Sequence, residues 1–317
     1  MRPSRIYLIS ATLLFTGLIL FLIGFAFLGF DIRNFDTEPP YTAATYTASG
    51  ATKEIKVDEI GADIKLTASK DEKVHIKYYQ NGIRIYDITD QSGVVTVTSS
   101  EQSSFIGISV STPIVTIALP ADFGGSVKIS NEVGDITAED ISLCALSAET
   151  ENGYIKLSGV KTLGNLELDT ENGAIELYNV NCGSTAKISA ENGNIFAQKT
   201  TVIDMYVEAE TGHLTLADIN ASGSIFGDSE NGDTQISNVS VGAALTLISE
   251  NGDIRGTIAG NETDYSYNCD AQNGSCNLPA SLLGGSKQLN IRTENGNIEI
   301  YSQSTINAQN QEQVSSN

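Results

Sequence analysis

The sequence predicts an all-β fold, a β-solenoid of about nine coils of roughly 20 residues, preceded by one N-terminal transmembrane helix. Three observations predict it. An uncharged apolar run of 25 residues, Ile6 to Phe30, opens the chain. A Glu-Asn-Gly marker recurs at near-constant spacing from residue 126 onward. Around the markers, apolar residues alternate with polar ones at the period of a strand buried on one face.

The apolar run matches the roughly 20 residues that cross a bilayer as a helix. It exceeds the apolar core of a signal peptide, about 7–15 residues, and Phe25-Ala26-Phe27-Leu28 is bulky where a peptidase needs small side chains. No cysteine near its end suits a lipoprotein anchor. Arg2 and Arg5 precede the run, and Asp31, Asp36 and Glu38 follow it. Positive charge stays inside, so residues 1–5 form a cytoplasmic stub, residues 6–30 span, and the remainder is extracytoplasmic. Residues 31–50, with Pro39-Pro40 and small polar side chains, read as a linker.

The repeat occupies residues 126–301. Its marker glycines are Gly153, Gly173, Gly193, Gly232, Gly252 and Gly296, with variants at Gly134, Gly212 and Gly274. Seven before the glycine stand residues such as Val127, Leu146 and Leu166; five before it, Ile129, Ala148 and Leu168. Two after it stand Ile136, Ile155 and Ile175; four after it, Ala138, Leu157 and Leu177. A further apolar column, seven after, runs Ile141, Val160, Val180, Thr200, Ile219 and Val239. Each unit is therefore a strand, a corner, a second strand and a return. Asn-Gly between alternating runs also suits an antiparallel meander. Near-constant unit length favours the solenoid, in which equivalent residues stack as ladders. The corner is expected to need Asn and Gly because both tolerate positive φ.

Residues 51–125 alternate less regularly, with Glu59-Ile60-Gly61 as a faint echo of the corner, and read as an irregular β section capping the first coil. Residues 302–317, rich in Ser, Gln and Asn, read as a disordered tail.

The chain carries 18 Lys+Arg against 39 Asp+Glu, a formal charge of -21, which disfavours nucleic acid and anionic lipid as partners. Residues 126–300 hold 25 of the acids and 8 of the bases. Glu151, Glu171, Glu191, Glu210, Glu230 and Glu250 form one column, roughly 5 Å apart when stacked. Hard oxygen donors in a row suit a Ca²⁺ ladder, assisted by the neighbouring asparagines and by Asp135, Asp233 and Asp253. The preferred reading is plainer: exposed turn carboxylates screened by salt, beside an asparagine column whose amides pair along the stack. No cofactor is otherwise implied.

Cys269 and Cys276 occupy inward columns on either side of one corner and are the one pair placed for a disulfide. Cys144 and Cys182 lie two coils apart, too far to bridge, and read as small buried hydrophobes. His75 and His213 stand alone, without the Ser, Cys or paired-carboxylate context of a catalytic site.

A membrane span, the strand Ala62-Asp63-Ile64-Lys65-Leu66, and Leu119-Pro120 leading into Glu-Asn-Gly repeats together resemble the bacterial "putative adhesin" family, domain of unknown function 4097. The resemblance covers roughly residues 45–300. It implies a β-helix-like cell-surface domain with no established enzymatic activity and no catalytic motif to carry over. The expected function is a membrane-anchored adhesin or surface structural and binding module. Its partners would be the membrane through residues 6–30 and a glycan or an envelope or host surface protein. An envelope accessory factor of a membrane stress system is the alternative, and a carbohydrate-active enzyme the third.

Overall fold

A computed structural model describes residues 3–27, 29–30, 39–101, 112–121, 123–279 and 281–304. Pro3–Phe27 is one α-helix. It begins three residues before the expected span, because proline suits the first helical position, where its missing N–H is not needed. Its Ser10–Phe27 portion has a mean hydropathy of 2.2, long and apolar enough to cross a membrane.

The repeats form a β-solenoid of about eight turns. Each regular coil carries three strands, for example Ala145–Asn152, Ile155–Ser158 and Lys161–Thr162. Each strand pairs in parallel with its equivalent in the next coil: Leu146 with Leu166, Ile155 with Ile175, Lys161 with Asn181. The meander is thereby excluded. The expected inward columns are buried, from Val127, Leu146 and Leu166 to Ile136, Ile155 and Ile175. The two-residue third strand adds another buried column, Leu143, Thr162, Cys182, Val202, Ala221 and Val241. That strand is too short for alternation to mark it in the sequence.

The corner glycines are required for a reason other than the expected one. None of the six Glu-Asn-Gly glycines, nor any of their asparagines, has a positive φ. The constraint is close approach. A Cβ on Gly173 would lie 1.9 Å from the Gly153 carbonyl oxygen, and one on Gly193 would lie 1.8 Å from that of Gly173. In six coils backbone with φ near 50–65° belongs to the second corner, six residues after the marker glycine or its variant, while of the first-corner variants Gly134 and Gly212 have φ of 137° and 152°. There Asp140, Gly159, Asn179, Lys199, Asp218 and Asn238 all have φ between 49° and 65°. Gly, Asn and Asp tolerate that region; Lys199 does so at a steric cost.

Inside the main corner of several coils a buried hydroxyl or amide, three before the glycine, holds a carbonyl of the neighbouring corner, while Ala190, Ala209 and Ala271 take that place in others. Thr150 Oγ1 donates to Gly134 O, Thr170 Oγ1 to Gly153 O and Thr293 Oγ1 to Gly252 O, each at 3.0 Å. Asn131 Nδ2 does the same for Ala62 and Gly134 at 3.0 and 3.1 Å.

Both ends of the stack depart from chain order. Glu54–Glu59 and Asp63–Ala68 form a coil that continues the solenoid, pairing in register with Ser126–Asn131 and with Ile136–Ala138. The corner echo is displaced by one residue, since Ala62 takes the place of the glycine. Glu59 therefore falls on the inward polar column and is fully buried. It accepts from Ser99 Oγ at 2.9 Å and from the amides of Ile60 and Gly61, and the Arg84 guanidinium lies 3.6 Å away. Val94–Glu101 and Ile114–Leu119 stack outside this coil in parallel. Antiparallel strands Arg84–Gln91 and His75–Gln80 then close the end. Thr42–Thr47 pairs antiparallel with His75–Gln80 and so belongs to this cap, not to the expected linker of 31–50. Its Ala44 and Tyr46 are half-buried between exposed Ala43, Thr45 and Thr47, a pattern that residue types alone do not mark in the sequence. Residues 31–38 lie outside the described residues.

At the other end Lys287–Asn295 inserts between Ala244–Asn251 and Tyr265–Asn273. The outermost strand is thus the penultimate repeat. Ser281–Leu282 covers two of its residues antiparallel. Cys269 and Cys276 are joined across its corner, with Cα atoms 6.8 Å apart. Ile298–Ser302 is a strand on Ile254–Ile258, so the expected tail starts later. Residues 305–317 lie outside the described residues. Cys182 is buried as expected, but Cys144 is exposed, because it lies one residue past the inward column of the third strand.

Two substitutions test the corners. Gly193→Ala forces a methyl into the neighbouring carbonyl and is expected to cost about 3 kcal/mol in chemical denaturation. Lys199→Gly removes left-handed strain and is expected to stabilise by about 1 kcal/mol on the same measurement.

Candidate functional site

Any outward residue becomes a column in this fold, so candidate sites are stripes along the stack. The first flanks the main corner. The expected glutamates Glu151, Glu171, Glu191, Glu210, Glu230 and Glu250 lie side by side and exposed, at the ends of their long strands. Among the described residues, no group of three or more His, Cys, Asp or Glu converges on a metal position. Partial desolvation raises the Glu210 carboxyl, assisted by the charges of Glu191, Glu230 and Glu208.

The helper acids have another occupation. Asp135 Oδ1 accepts the Tyr154 amide at 3.0 Å, and Asp233 Oδ1 accepts the Asp253 amide at 2.9 Å. Asp253 Oδ1 accepts the Asn297 amide at 2.6 Å. Asn194 and His213 serve in the same column, with Asn194 Oδ1 accepting from His213 N at 2.8 Å and His213 Nδ1 from Asp233 N at 3.1 Å. Except at Tyr154 and Ala174, the position after the glycine is thus a side-chain ladder that satisfies a neighbouring coil's backbone.

The asparagines form a second ladder. Asn172 Nδ2 donates to Asn152 Oδ1 at 3.3 Å, and Asn192 Nδ2 to Asn172 Oδ1 at 3.4 Å. After Thr211 interrupts it, the ladder resumes from Asn251 to Asn231 at 3.1 Å, Asn295 to Asn251 at 2.9 Å and Asn273 to Asn295 at 3.0 Å. These amides hold one another and fix register.

The outer face of the long strands carries a groove of about 640 Å³ lined by Lys128, Glu149, Asp169, Lys187, Tyr206 and Phe226, among others. The Tyr206 and Phe226 rings lie 6.5 Å apart. Partial burial raises the Asp169 carboxyl, and the charges of Glu149, Glu191 and Glu208 raise it further. Asp228 is raised by partial burial and then by Glu208, Glu230 and Glu250.

The outer face of the second strands carries a second groove, of about 560 Å³, between Glu176 and Gln235. Tyr178 and Phe196 lie 5.2 Å apart there, and Lys156 Nζ sits 5.0 Å from the Tyr178 ring centre. Lys156 Nζ also donates to Glu176 Oε2 at 2.8 Å. Aligning only the inward columns hides both aromatic pairs; aligning the outward columns on the same glycines brings each pair onto adjacent coils. Neither histidine stands alone: His75 contacts Asp71 at 2.8 Å and Thr47 at 2.9 Å, and His213 belongs to the corner ladder.

The three-strand coils with glycine corners and the capping N-terminal section correspond to a known family. The family described as Toastrack DUF4097 matches residues 52–301. The chain belongs to it. The Toastrack match runs from the N-terminal cap through the inserted C-terminal strand, and the apolar helix lies before it. Similar solved structures include a "putative adhesin" from Bacteroides fragilis, 17% identical, covering 83% of this chain and 99% of that chain, with a TM-score of 0.47. Another "putative adhesin", from Parabacteroides distasonis, is 14% identical over 83% of this chain and 98% of that chain, with a TM-score of 0.39. A "putative lipid binding protein" from the same organism is 10% identical over 79% and 96%, with a TM-score of 0.37. No curated protein matches the chain.

The raised carboxyls of this Toastrack domain set a pH dependence. A carboxyl whose folded pKa lies above its unfolded value binds the proton more tightly when folded, so stability falls as pH rises through that interval. Thermal melting is expected to shift upward as pH drops from neutral toward 3.8, the ordinary aspartate value. Asp169→Asn should flatten that rise, by less than about 1 kcal/mol because solvent screens half-exposed charges. Below that value Asp71 and Asp90, whose carboxyls are lowered chiefly by hydrogen bonds from His75 and from the Ser49 amide, lose their contribution.

Proposed function

We propose that this Toastrack protein is a single-pass membrane protein whose solenoid faces outward and binds an extended envelope or host-surface polymer without catalysing a reaction. One observation carries the reading: two outer faces of a rigid stack present grooves bearing aromatic pairs that the fold does not need. The solenoid core is filled by inward columns, so outward rings gain little by packing. A stack of equivalent coils offers its partner a repeated surface, which suits a polymer better than a compact ligand. Arg2 and Arg5, ahead of the uncharged run that starts at Ile6, favour an inside N-terminus and an outside solenoid.

The exposed thiol of Cys144 tests the orientation. Cys182 is buried and Cys269 is bonded to Cys276, so a membrane-impermeant maleimide applied to intact cells is expected to label Cys144. Labelling only after lysis, or labelling that survives Cys144→Ser, would overturn the outward placement. Binding is tested with the full chain in lipid nanodiscs, mixed with insoluble cell-wall fractions and host matrix and then sedimented. Co-sedimentation with at least one is expected; retention in the supernatant with all of them removes the proposal.

A further inference from the structure

We infer that the outer face of the second strands, from Glu176 to Gln235, is a binding site for a neutral polysaccharide. The inference deepens the polymer-binding reading above and rests on it.

The site begins with the ring pair. Tyr178 and Phe196 come from adjacent coils, with ring centres 5.2 Å apart and planes 37° apart. They make a shallow two-ring platform that solvent reaches. Beside it Ala174 and Thr215 are small, which makes the depression. Glu176 pairs in register with Phe196, Phe196 with Thr215, and Thr215 with Gln235, so the groove crosses four coils. At ~4.8 Å per coil these span about 14 Å, the scale of a short run of linked sugar rings. A pyranose ring has an apolar face and a rim of hydroxyls. The rings take the face, as aromatic surfaces take other apolar bodies.

The rim finds fixed partners. The Asp233 amide donates to His213 Nδ1 at 3.1 Å, so the neutral imidazole carries its proton on Nε2. That N–H is a donor at the groove wall. Asn194 commits its Oδ1 to the His213 amide at 2.8 Å, which orients its Nδ2 as a second donor. Gln235 adds an exposed amide with both functions. Donors and acceptors thus lie beside the ring platform, as hydroxyl recognition requires.

Charge and topology select the class of polymer. Glu176 is neutralised by Lys156 at 2.8 Å, and the Asp233 carboxylate accepts the Asp253 amide. The groove on the long-strand face differs, because Glu149, Asp169 and Glu208 stand there together and that field favours cations. An extended peptide would need a free strand edge. The second strands here have none, since each of the four is paired on both sides. A neutral chain of sugars needs neither a charge nor an edge.

The test uses the full chain in nanodiscs, titrated by calorimetry with soluble neutral α- and β-glucans, polygalacturonate and oligolysine. At least one neutral glucan is expected to bind. Tyr178→Ala and Phe196→Ala should each weaken it about tenfold, the equivalent of 1.4 kcal/mol. Phe196→Trp should retain binding. His213→Asn keeps the ladder acceptor, as Asn194 shows one coil away, and removes the ring donor. It should weaken binding with an unchanged melting temperature. Tyr206→Ala on the other face should leave binding intact. No binding of any neutral glucan overturns the inference, as does binding insensitive to Tyr178→Ala and Phe196→Ala. Preference for oligolysine or polygalacturonate overturns it too. If sedimentation with wall fractions persists in the Tyr178→Ala protein, the polymer-binding reading survives and this site does not.

Discussion

The structure depends on how closely successive coils approach at one corner. Each marker glycine presents its Cα to the carbonyl oxygen of the glycine before it, at a distance that excludes any side chain. That contact places equivalent residues directly over one another. Once they are superposed, a threonine three residues earlier reaches a glycine carbonyl, an asparagine one residue earlier reaches the asparagine below, and an acceptor one residue later reaches the next amide. Three polar ladders run through one turn, and each works because the glycine column sets the spacing. A buried turn would otherwise leave backbone groups unsatisfied, at a cost comparable to a lost hydrogen bond apiece.

The ends of the stack show how a solenoid avoids exposing its last coil. An open parallel edge invites pairing with another chain. At the N-terminal end antiparallel strands cover the edge, and the buried Glu59–Arg84 pair ties the cap to the coil inside it. At the C-terminal end the last long strand, Lys287–Asn295, is tucked beneath the penultimate repeat. Fraying from the chain end would therefore have to break ladders on both sides of Lys287–Asn295. The repeat left outermost carries the disulfide across its corner.

The inward columns were legible because burial writes a period into the sequence. Val127, Leu146 and Leu166 could be aligned on glycines alone, and all three are buried. The role of those glycines was not legible in the same way. It depends on an atom about twenty residues distant, and local turn chemistry supplies a different explanation for the same Asn-Gly. The left-handed second corner could have been found, since Asp140, Gly159, Asn179, Asp218 and Asn238 share one offset. The order of the last two repeats could not. Asn273 and Asn295 fit the same register whichever lies outside, and only the long connection between them permits the exchange. The second-strand groove stayed hidden because its rings occupy no common column, Tyr178 lying five after its glycine and Phe196 three after its own, whereas Tyr206 and Phe226 share an outward column that alignment of the inward ones passes over.

Stacking also explains why the acidity of this chain is geographical. A fold that repeats each outward position turns one glutamate per coil into a row, and like charges a strand spacing apart repel. Where the acid follows the glycine, the repulsion is offset by a backbone amide donating to each carboxylate, so those charges serve the fold. Among the acids that precede the glycine or lie on the long-strand face, Asp169, Glu210 and Asp228 have carboxyls raised first by desolvation and then by their acidic neighbours. The second-strand face escapes through Lys156 on Glu176 and through residues that carry no charge, Phe196, Thr215 and Gln235. One coil therefore turns a repulsive acidic face and a nearly neutral aromatic face in different directions. Both faces carry a ring pair, so it is charge and not aromatic content that makes the two sides of each coil chemically different surfaces.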